Sequence, residues 1–208
     1  MNGATLSPAH GYPLRVIIPG IAGARSVKWL DTITISSEES QNFYMQRDYK
    51  VLPPDAVDAE SAEKYWGVTP ALMDMPCNSV VGWPSSEDVV ELGDKGELVV
   101  KGYAVPKGDQ GPVVKVEVSL DEGKTWKDAE MLPVEVESKW AWCLWRYRLD
   151  VGTLKSIGRP AKEGKGRIIT ILSKATDKGG NVQEDCEWNL RGVAYNGYGD
   201  ARDVEVVF

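Results

Sequence analysis

The chain has 208 residues, a net charge of −7 and 42% hydrophobic residues, a composition that indicates a folded protein and excludes a disordered one. This length fits one large domain, or a small domain plus part of another. The acidic balance argues against nucleic-acid binding, and no apolar run is long enough to cross a membrane. No localisation is assigned, because the first residues lack the basic start and apolar stretch of a signal peptide.

The first thirty residues reverse the charge of the chain as a whole. They contain Arg15, Arg25, Lys28 and the only histidine, His10, and no acidic residue. The remaining residues therefore carry −10, the difference between −7 and +3. Local cations hold phosphate or sulfur oxyanions, whereas net charge mainly governs solubility. The segment indicates an anion site, with a solvated basic face as the alternative.

Residues 1–36 are predicted to form short strands joined by glycine-rich turns. Residues 14–18 predict a strand that Pro19 and Gly20 end, and residues 21–26 predict a tight loop. Residues 31–35 alternate polar with β-branched side chains, as a half-buried strand does. The acidic and proline-rich residues 37–76 predict a long surface crossing with a short helix around residues 60–65.

From residue 78 onward, repeated strands with turns between them are predicted. Residues 97–104 alternate, with Leu98 and Val100 on one face. The next strand has one apolar face and one polar face: Val114, Val116, Val118 and Leu120 against Lys115, Glu117 and Ser119. Residues 121–124 predict a hairpin turn in which Gly123 supplies the positive φ.

The last third of the chain continues this pattern. Strands are predicted at residues 140–147, 167–174 and 204–208, with a turn at 179–181. Short strands at this spacing predict a mainly β protein, with an immunoglobulin-like antiparallel β-sandwich preceded by a partial α+β domain.

One strand carries more aromatic side chains than a single core can hold. Trp140, Trp142, Trp145 and Tyr147 cannot all face inward if the strand alternates. A covered outer face, against another subunit or another domain, is therefore predicted, and a homodimer satisfies it. The alternative is a large sandwich that encloses all four.

The three cysteines are not expected to form a metal site within this chain. Cys77, Cys143 and Cys186 are far apart in the sequence, and one histidine cannot complete a zinc set with them. They are predicted to be buried or half-buried free thiols.

A series of motifs runs through nearly the whole chain in one order: HGYPLR (10–15), PG (19–20), GAR (23–25), VKWL (27–30), KVEVSLDEGKTW (115–126), WAW (140–142) and WNLRG (188–192). The first four resemble the pterin-binding segment of the eukaryotic sulfite oxidases and nitrate reductases, which bind molybdenum on a pterin cofactor. The last three resemble the C-terminal dimerisation domain of the same family. Arg47-Asp48-Tyr49-Lys50 and Arg191 resemble sulfite oxidase, because nitrate reductases usually differ at the tyrosine and at that arginine.

The resemblance implies roles for individual residues. His10, Arg15 and Lys28 would hold the molybdopterin and its phosphate, helped by Ser26 and the backbone N–H groups of the turn at residues 25–27. Arg25 is not assigned a role. Tyr49 and Arg191 would be the catalytic residues that border a pocket for sulfite or a similar oxyanion. Each residue also has an ordinary alternative: His10 capping a turn, Lys28 lying along Trp29, Tyr49 packing under the connection, and Arg191 pairing with Asp185 or Glu187.

The resemblance also implies a division of the chain and an absence. Residues 1–36 would be the end of a molybdopterin-binding domain, 37–76 a linker and 77–208 the dimerisation domain. The family's molybdenum-ligating cysteine lies before the stretch that begins at His10, so the chain is predicted to be a truncated C-terminal part, inactive alone, with residues 14–35 less stable than the sandwich. The function predicted is that of a sulfite oxidase portion, with a non-catalytic dimerisation module or a nitrate reductase fragment as alternatives. A haem and the electron acceptor are left unassigned.

Overall fold

A computed structural model describes residues 1–92, 96–161, 166–185, 188–194 and 197–208. The chain divides into two compact units, one of Met1–Met75 with Glu187–Tyr195 and the other of Pro76–Cys186 with Asn196–Phe208. Among the described residues, none of the helices has the length and apolar character needed to span a membrane.

Strands dominate the second unit. Its described residues form β1 (Asn78–Trp83), β2 (Val89–Glu91), β3 (Glu97–Val105), β4 (Val113–Ser119), β5 (Lys127–Asp128), β6 (Glu130–Met131), β7 (Cys143–Asp150), β8 (Arg159–Pro160), β9 (Gly166–Asp177) and β10 (Gly199–Val207), with helix α3 at Val151–Ser156. One sheet has the order β1-β3-β7-β6, and the other has the order β2-β10-β9-β4-β5, with β8 beside β9. Neighbouring strands are antiparallel except β2, which runs parallel to β10.

The core of this unit lies between the two sheets. Leu98, Val100 and Trp145 from the first sheet pack in one buried cluster with Val116 and Ile171 from the second. Burial of these side chains removes apolar surface from water and holds the sheets face to face. This arrangement confirms the predicted immunoglobulin-like antiparallel sandwich.

The predicted faces of β3 are confirmed, and those of β4 are confirmed with two exceptions, because Ser119, predicted on the polar face, is buried and Val114 is not. Leu98, Val100, Val116 and Val118 are all buried. Val114 is 47% exposed, so its predicted place on the apolar face is wrong. The pairing of β4 with β9 shifts register between Val113 and Lys115, and this irregularity turns Val114 outward.

The aromatic strand β7 is central, because it lies between β3 and β6. It begins at Cys143 rather than at residue 140. Trp145 is buried in the core, whereas Trp142 is 64% exposed and stacks on Tyr103 with ring centroids 5.0 Å apart. The outward Trp142 and Leu144 leave an apolar patch on the outer face of this sheet.

The first unit contains short helical turns. They are 3₁₀ turns at Pro8–His10, Gly23–Arg25 and Leu190–Gly192, and helices α1 (Phe43–Gln46) and α2 (Ala59–Ala62). The helix expected near residue 60 is therefore confirmed, and Asp58 caps it by accepting a hydrogen bond from the Ser61 N–H at 2.8 Å. The sequence did not indicate α1, nor the small core that Leu52, Ala56 and Ala62 form with Trp66.

The strands predicted at residues 14–18 and 31–35 are wrong. Neither segment has strand structure, and Ile33 and Ile35 are 76% and 97% exposed. The Val16 N–H donates to the Val27 carbonyl and the Leu30 N–H to the Leu14 carbonyl, which is too few bonds for a ladder. Alternating residues supply only a propensity, and a strand forms when a neighbour pairs with it.

Candidate functional site

A pocket of about 280 Å³ in the first unit brings together three polar side chains, those of Asp48, Tyr49 and Arg191. The rest of its lining is glycine and apolar residues: Ala22, Gly23, Ala24, Leu72, Met75, Val193 and Ala194. The two residues that the resemblance marks as catalytic are distant in the sequence and face one pocket. A small cavity with a few convergent polar groups has the form of a ligand site.

Asp48 holds the guanidinium of Arg191. The two side chains form an ion pair in which the Asp48 side chain is 13% exposed and that of Arg191 is 52% exposed. Arg191 thus pairs with Asp48 rather than with Asp185, while Glu187 lies outside the described residues. The charge of this largely buried carboxylate attracts the guanidinium and holds it at the pocket. Asp48 stands next to Tyr49 in the sequence, but nothing in the sequence indicates that it reaches Arg191.

The backbone around this pocket is strained. Tyr49, Arg191 and Ala194 have φ angles of +45°, +73° and +48°, in the left-handed region that residues with a Cβ seldom adopt. Such conformations persist where the surrounding structure enforces them, and they cluster at functional sites. The Tyr49 carbonyl accepts a hydrogen bond from the Leu72 N–H at 2.7 Å, and this bond helps to hold the Tyr49 backbone in its strained conformation.

A second group of polar residues surrounds the turn Pro8–His10. Lys28 Nζ donates to the Ala9 carbonyl at 2.9 Å, and Arg15 Nη1 donates to the His10 carbonyl at 3.5 Å. His10, Arg15 and Lys28 therefore lie together, as the resemblance implies. Gly11, with φ of +109°, makes this possible, because a Cβ there would lie 3.0 Å from the Lys28 Cβ.

His10, Arg15 and Lys28 form a basic cluster, and two of its residues also make the contacts that the alternative interpretations predict. His10 Nδ1 lies 2.7 Å from the Ser7 hydroxyl, a contact within the turn. Lys28 Nζ lies 5.7 Å from the centre of the Trp29 ring. Both contacts leave His10 and Lys28 at the surface, where an anion can reach them.

The backbone of the turn at residues 25–27 does not offer its N–H groups to a ligand. The N–H groups of Arg25, Ser26 and Val27 donate to the carbonyls of Ala22, Gly23 and Arg25 at 2.8, 3.0 and 3.1 Å. These three N–H groups already have backbone acceptors, so the free donors of the region belong to side chains. The Ser26 hydroxyl accepts from the Ile18 N–H at 3.4 Å, and its own proton can still be donated.

The basic cluster fits a phosphate-bearing pterin. Arg15 Nε is a buried donor that makes no hydrogen bond within the described part of the chain. A buried donor without a partner is unfavourable until a ligand supplies an acceptor. Together with the Lys28 ammonium and the His10 imidazole at the surface, it gives an anionic cofactor both charge and directed donors.

The described thiols are not suited to bind a metal. Cys77 and Cys143 are free and buried in the sandwich, as predicted, and Cys186 lies outside the described residues. Burial, with the nearby Asp177 carboxylate, raises the pKa of Cys77 to about 12, and burial raises the pKa of Cys143. Metal ligation requires thiolates, and a raised pKa disfavours the thiolate form. Within the described ranges, no cluster of three histidine, cysteine or carboxylate side chains could hold a metal ion.

Two protein families match the chain. Residues 69–201 match the Mo-co oxidoreductase dimerisation domain, and residues 1–44 match the oxidoreductase molybdopterin binding domain. The sulfite oxidase of Arabidopsis thaliana is 39% identical over 205 residues, which cover 93% of this chain and 47% of that protein. The NADH nitrate reductase of Solanum lycopersicum is 37% identical over 206 residues, covering 94% of this chain and 21% of that protein.

A solved structure shares the fold. The sulfane dehydrogenase SoxCD from Paracoccus pantotrophus matches with a TM-score of 0.71 and 25% identity, over 97% of this chain and 49% of that chain. This chain thus spans about half the length of the Arabidopsis sulfite oxidase and about a fifth of the tomato nitrate reductase.

Proposed function

This chain belongs to the Mo-co oxidoreductase family, and we propose that it supplies the substrate pocket and part of the cofactor site of a sulfite oxidase. The observation that carries the proposal is the convergence of Tyr49 and Arg191 on one small pocket. The reaction takes sulfite and water to sulfate, two protons and two electrons. The division into residues 1–36, 37–76 and 77–208 is part of the same proposal.

The polar side chains of the pocket suit a small oxyanion. Sulfite is an oxyanion that carries one or two negative charges near neutral pH, and a guanidinium presents parallel donors to two of its oxygens. The Tyr49 phenol donates to a third oxygen and can pass a proton. Asp48 keeps the Arg191 fork in place for this contact.

The cofactor residues act through charge and directed donors. His10, Arg15 and Lys28 would hold the pterin phosphate, and Ser26 would contribute its hydroxyl. When bound, the family's molybdenum–pterin group supplies the two-electron oxidation and the oxygen transfer. The described thiols, Cys77 and Cys143, are buried in the sandwich and are not among the residues proposed to hold the cofactor.

Sulfite is favoured over nitrate on the chemistry of the pocket. The identities to sulfite oxidase and nitrate reductase, 39% and 37%, are too similar to separate the two substrates. Nitrate is a monoanion, whereas an arginine fork and a phenol together match a dianion better. Tyr49 and Arg191 are also the positions at which the resemblance distinguishes the two enzymes.

Sulfate binding tests the proposal without turnover. We expect isothermal titration calorimetry to detect sulfate binding to the chain, and Arg191→Met to weaken it about tenfold or more, the effect of losing one charge-assisted contact. Arg47→Met is the matched control, because Arg47 belongs to the same motif as Tyr49 but pairs with the exposed Glu63. Equal affinity of the wild type and Arg191→Met would contradict the assignment.

A second role, homodimerisation, is supported by the matched dimerisation domain and by the apolar patch on the outer face of the first sheet. If the chain dimerises and does not bind sulfate, the non-catalytic dimerisation module becomes the better description.

A further inference from the structure

Arg25 joins two segments that lie on either side of Tyr49 in the sequence. Its Nε and Nη2 both donate to the Leu72 carbonyl, at 3.3 and 3.2 Å. Its Nη1 donates to the Tyr44 carbonyl at 3.2 Å. A single half-buried guanidinium thus binds the backbone of α1 and the backbone at Leu72.

Each partner of Arg25 also contacts Tyr49. The Leu72 N–H donates to the Tyr49 carbonyl at 2.7 Å, and the Tyr44 ring centroid lies 6.4 Å from that of Tyr49. Arg25 Cζ itself lies 5.7 Å from the centre of the Tyr49 ring, within cation–π range. Tyr49 is therefore in contact with Arg25 and with both residues whose carbonyls Arg25 binds.

Tyr49 needs such support because its backbone is strained. Its φ of +45° is unfavourable for a residue with a Cβ and persists only when neighbouring contacts enforce it. The donors of Arg25 face inward to these carbonyls, so its guanidinium is not part of the cluster around the turn Pro8–His10.

We propose that Arg25 is a positioning residue that fixes the Tyr49 side chain at the pocket shared with Arg191. The inference rests on the proposed function, because it assumes that the Tyr49 phenol contacts the oxyanion. An arginine is required, since its planar fork binds two carbonyls at once while its face lies over a ring. A lysine keeps the charge and loses this geometry.

Fluorine NMR of the chain labelled with 3-fluorotyrosine tests the positioning directly. The Tyr49 resonance is identified by its loss in Tyr49→Phe. In Arg25→Gln we expect it to shift or broaden, while those of Tyr103 and Tyr147 in the sandwich stay in place. Arg25→Lys should resemble Arg25→Gln, and the control Arg47→Gln should resemble the wild type, because Arg47 pairs with an exposed glutamate.

Two results would overturn the inference. One is an unchanged Tyr49 resonance in Arg25→Gln, or its restoration in Arg25→Lys. The other is a shift that also reaches Tyr65, which packs on the first unit's core, since that would mean general loss of the fold.

A double-mutant cycle on sulfate affinity adds a readout that a purely structural role does not produce. Arg25→Gln should weaken sulfate binding several-fold in the wild type and have no further effect in Tyr49→Phe. Additive losses would contradict positioning through Tyr49. If the wild type does not bind sulfate, the proposed function fails while the NMR result stands; if sulfate binds and the Tyr49 resonance is unchanged, only the inference about Arg25 fails.

Discussion

A single carboxylate, that of Asp121, organises the turn between β4 and β5. It accepts hydrogen bonds from the Thr125 hydroxyl at 2.7 Å, the Thr125 N–H at 2.8 Å and the Ser119 hydroxyl at 2.8 Å. These bonds, those from Thr125 first, lower the pKa of Asp121 to about 2. Gly123, with φ of +85°, completes the hairpin turn predicted at residues 121–124.

The stability of the sandwich should therefore depend on the ionisation of Asp121. Because the folded pKa is lowered, the stabilisation is present above the unfolded value of about 4 and is lost as pH falls toward 2. Asp121→Ala should therefore melt below the wild type at pH 6, with a difference that narrows between pH 4 and pH 2.5. Circular dichroism melting curves measure this. Asp128→Ala is the control, since that side chain is 76% exposed; a pH-independent difference for Asp121→Ala would contradict the expectation.

Residue types predict the first unit's pocket only in part. The resemblance grouped Tyr49 with Arg191, and both line the pocket. The ion pair with Asp48 joins residues far apart in the sequence, so no spacing marks it. The acceptors of Arg25 are backbone carbonyls, which no side-chain pattern identifies. Polar contacts of this kind depend on the path of the backbone, and only the fold reveals it.

At the scale of elements, the alternation of polar and apolar residues predicted some strands correctly and others wrongly. It predicted the buried residues of β3 correctly, since β3 has β1 and β7 as neighbours. It failed at residues 14–18 and 31–35, where the described residues form no ladder. The register shift near Val114 was also unpredictable, because a bulge depends on how two strands pair rather than on one strand's side chains.

Hydrogen exchange should separate these elements. Amides of residues 14–35 are expected to exchange much faster than those of β4, because local opening costs little where the backbone lacks a ladder. Within that segment, Val16 and Leu30, whose N–H groups have acceptors, should exchange more slowly than Ile33 and Ile35. Mass spectrometry with overlapping peptides measures this, and β10 gives the reference for a paired strand. Equal protection of residues 14–35 and β4 would refute the expectation.

At the scale of the whole molecule, the outer face of the first sheet has the features of a self-association surface. Trp142 and Leu144 are 64% and 58% exposed, and Tyr103 pairs with Leu144 in register. Next to this patch, Lys101 faces Arg146, whose guanidinium binds the Glu130 carboxylate. An apolar patch bordered by charged pairs is typical of an interface, and a two-fold axis places the same patch on both copies.

Charge opposes this association and gives it a recognisable salt dependence. Two copies carry −14 together, twice −7, so the apolar patch must outweigh their repulsion, and added salt should strengthen the dimer by screening. Leu144→Arg should shift the chain from dimer to monomer in sedimentation velocity, because it places a charge within the apolar contact. Val114→Arg is the matched control, since Val114 is 47% exposed on the other sheet. A dimer that persists in Leu144→Arg and dissociates in Val114→Arg would place the interface on the opposite sheet.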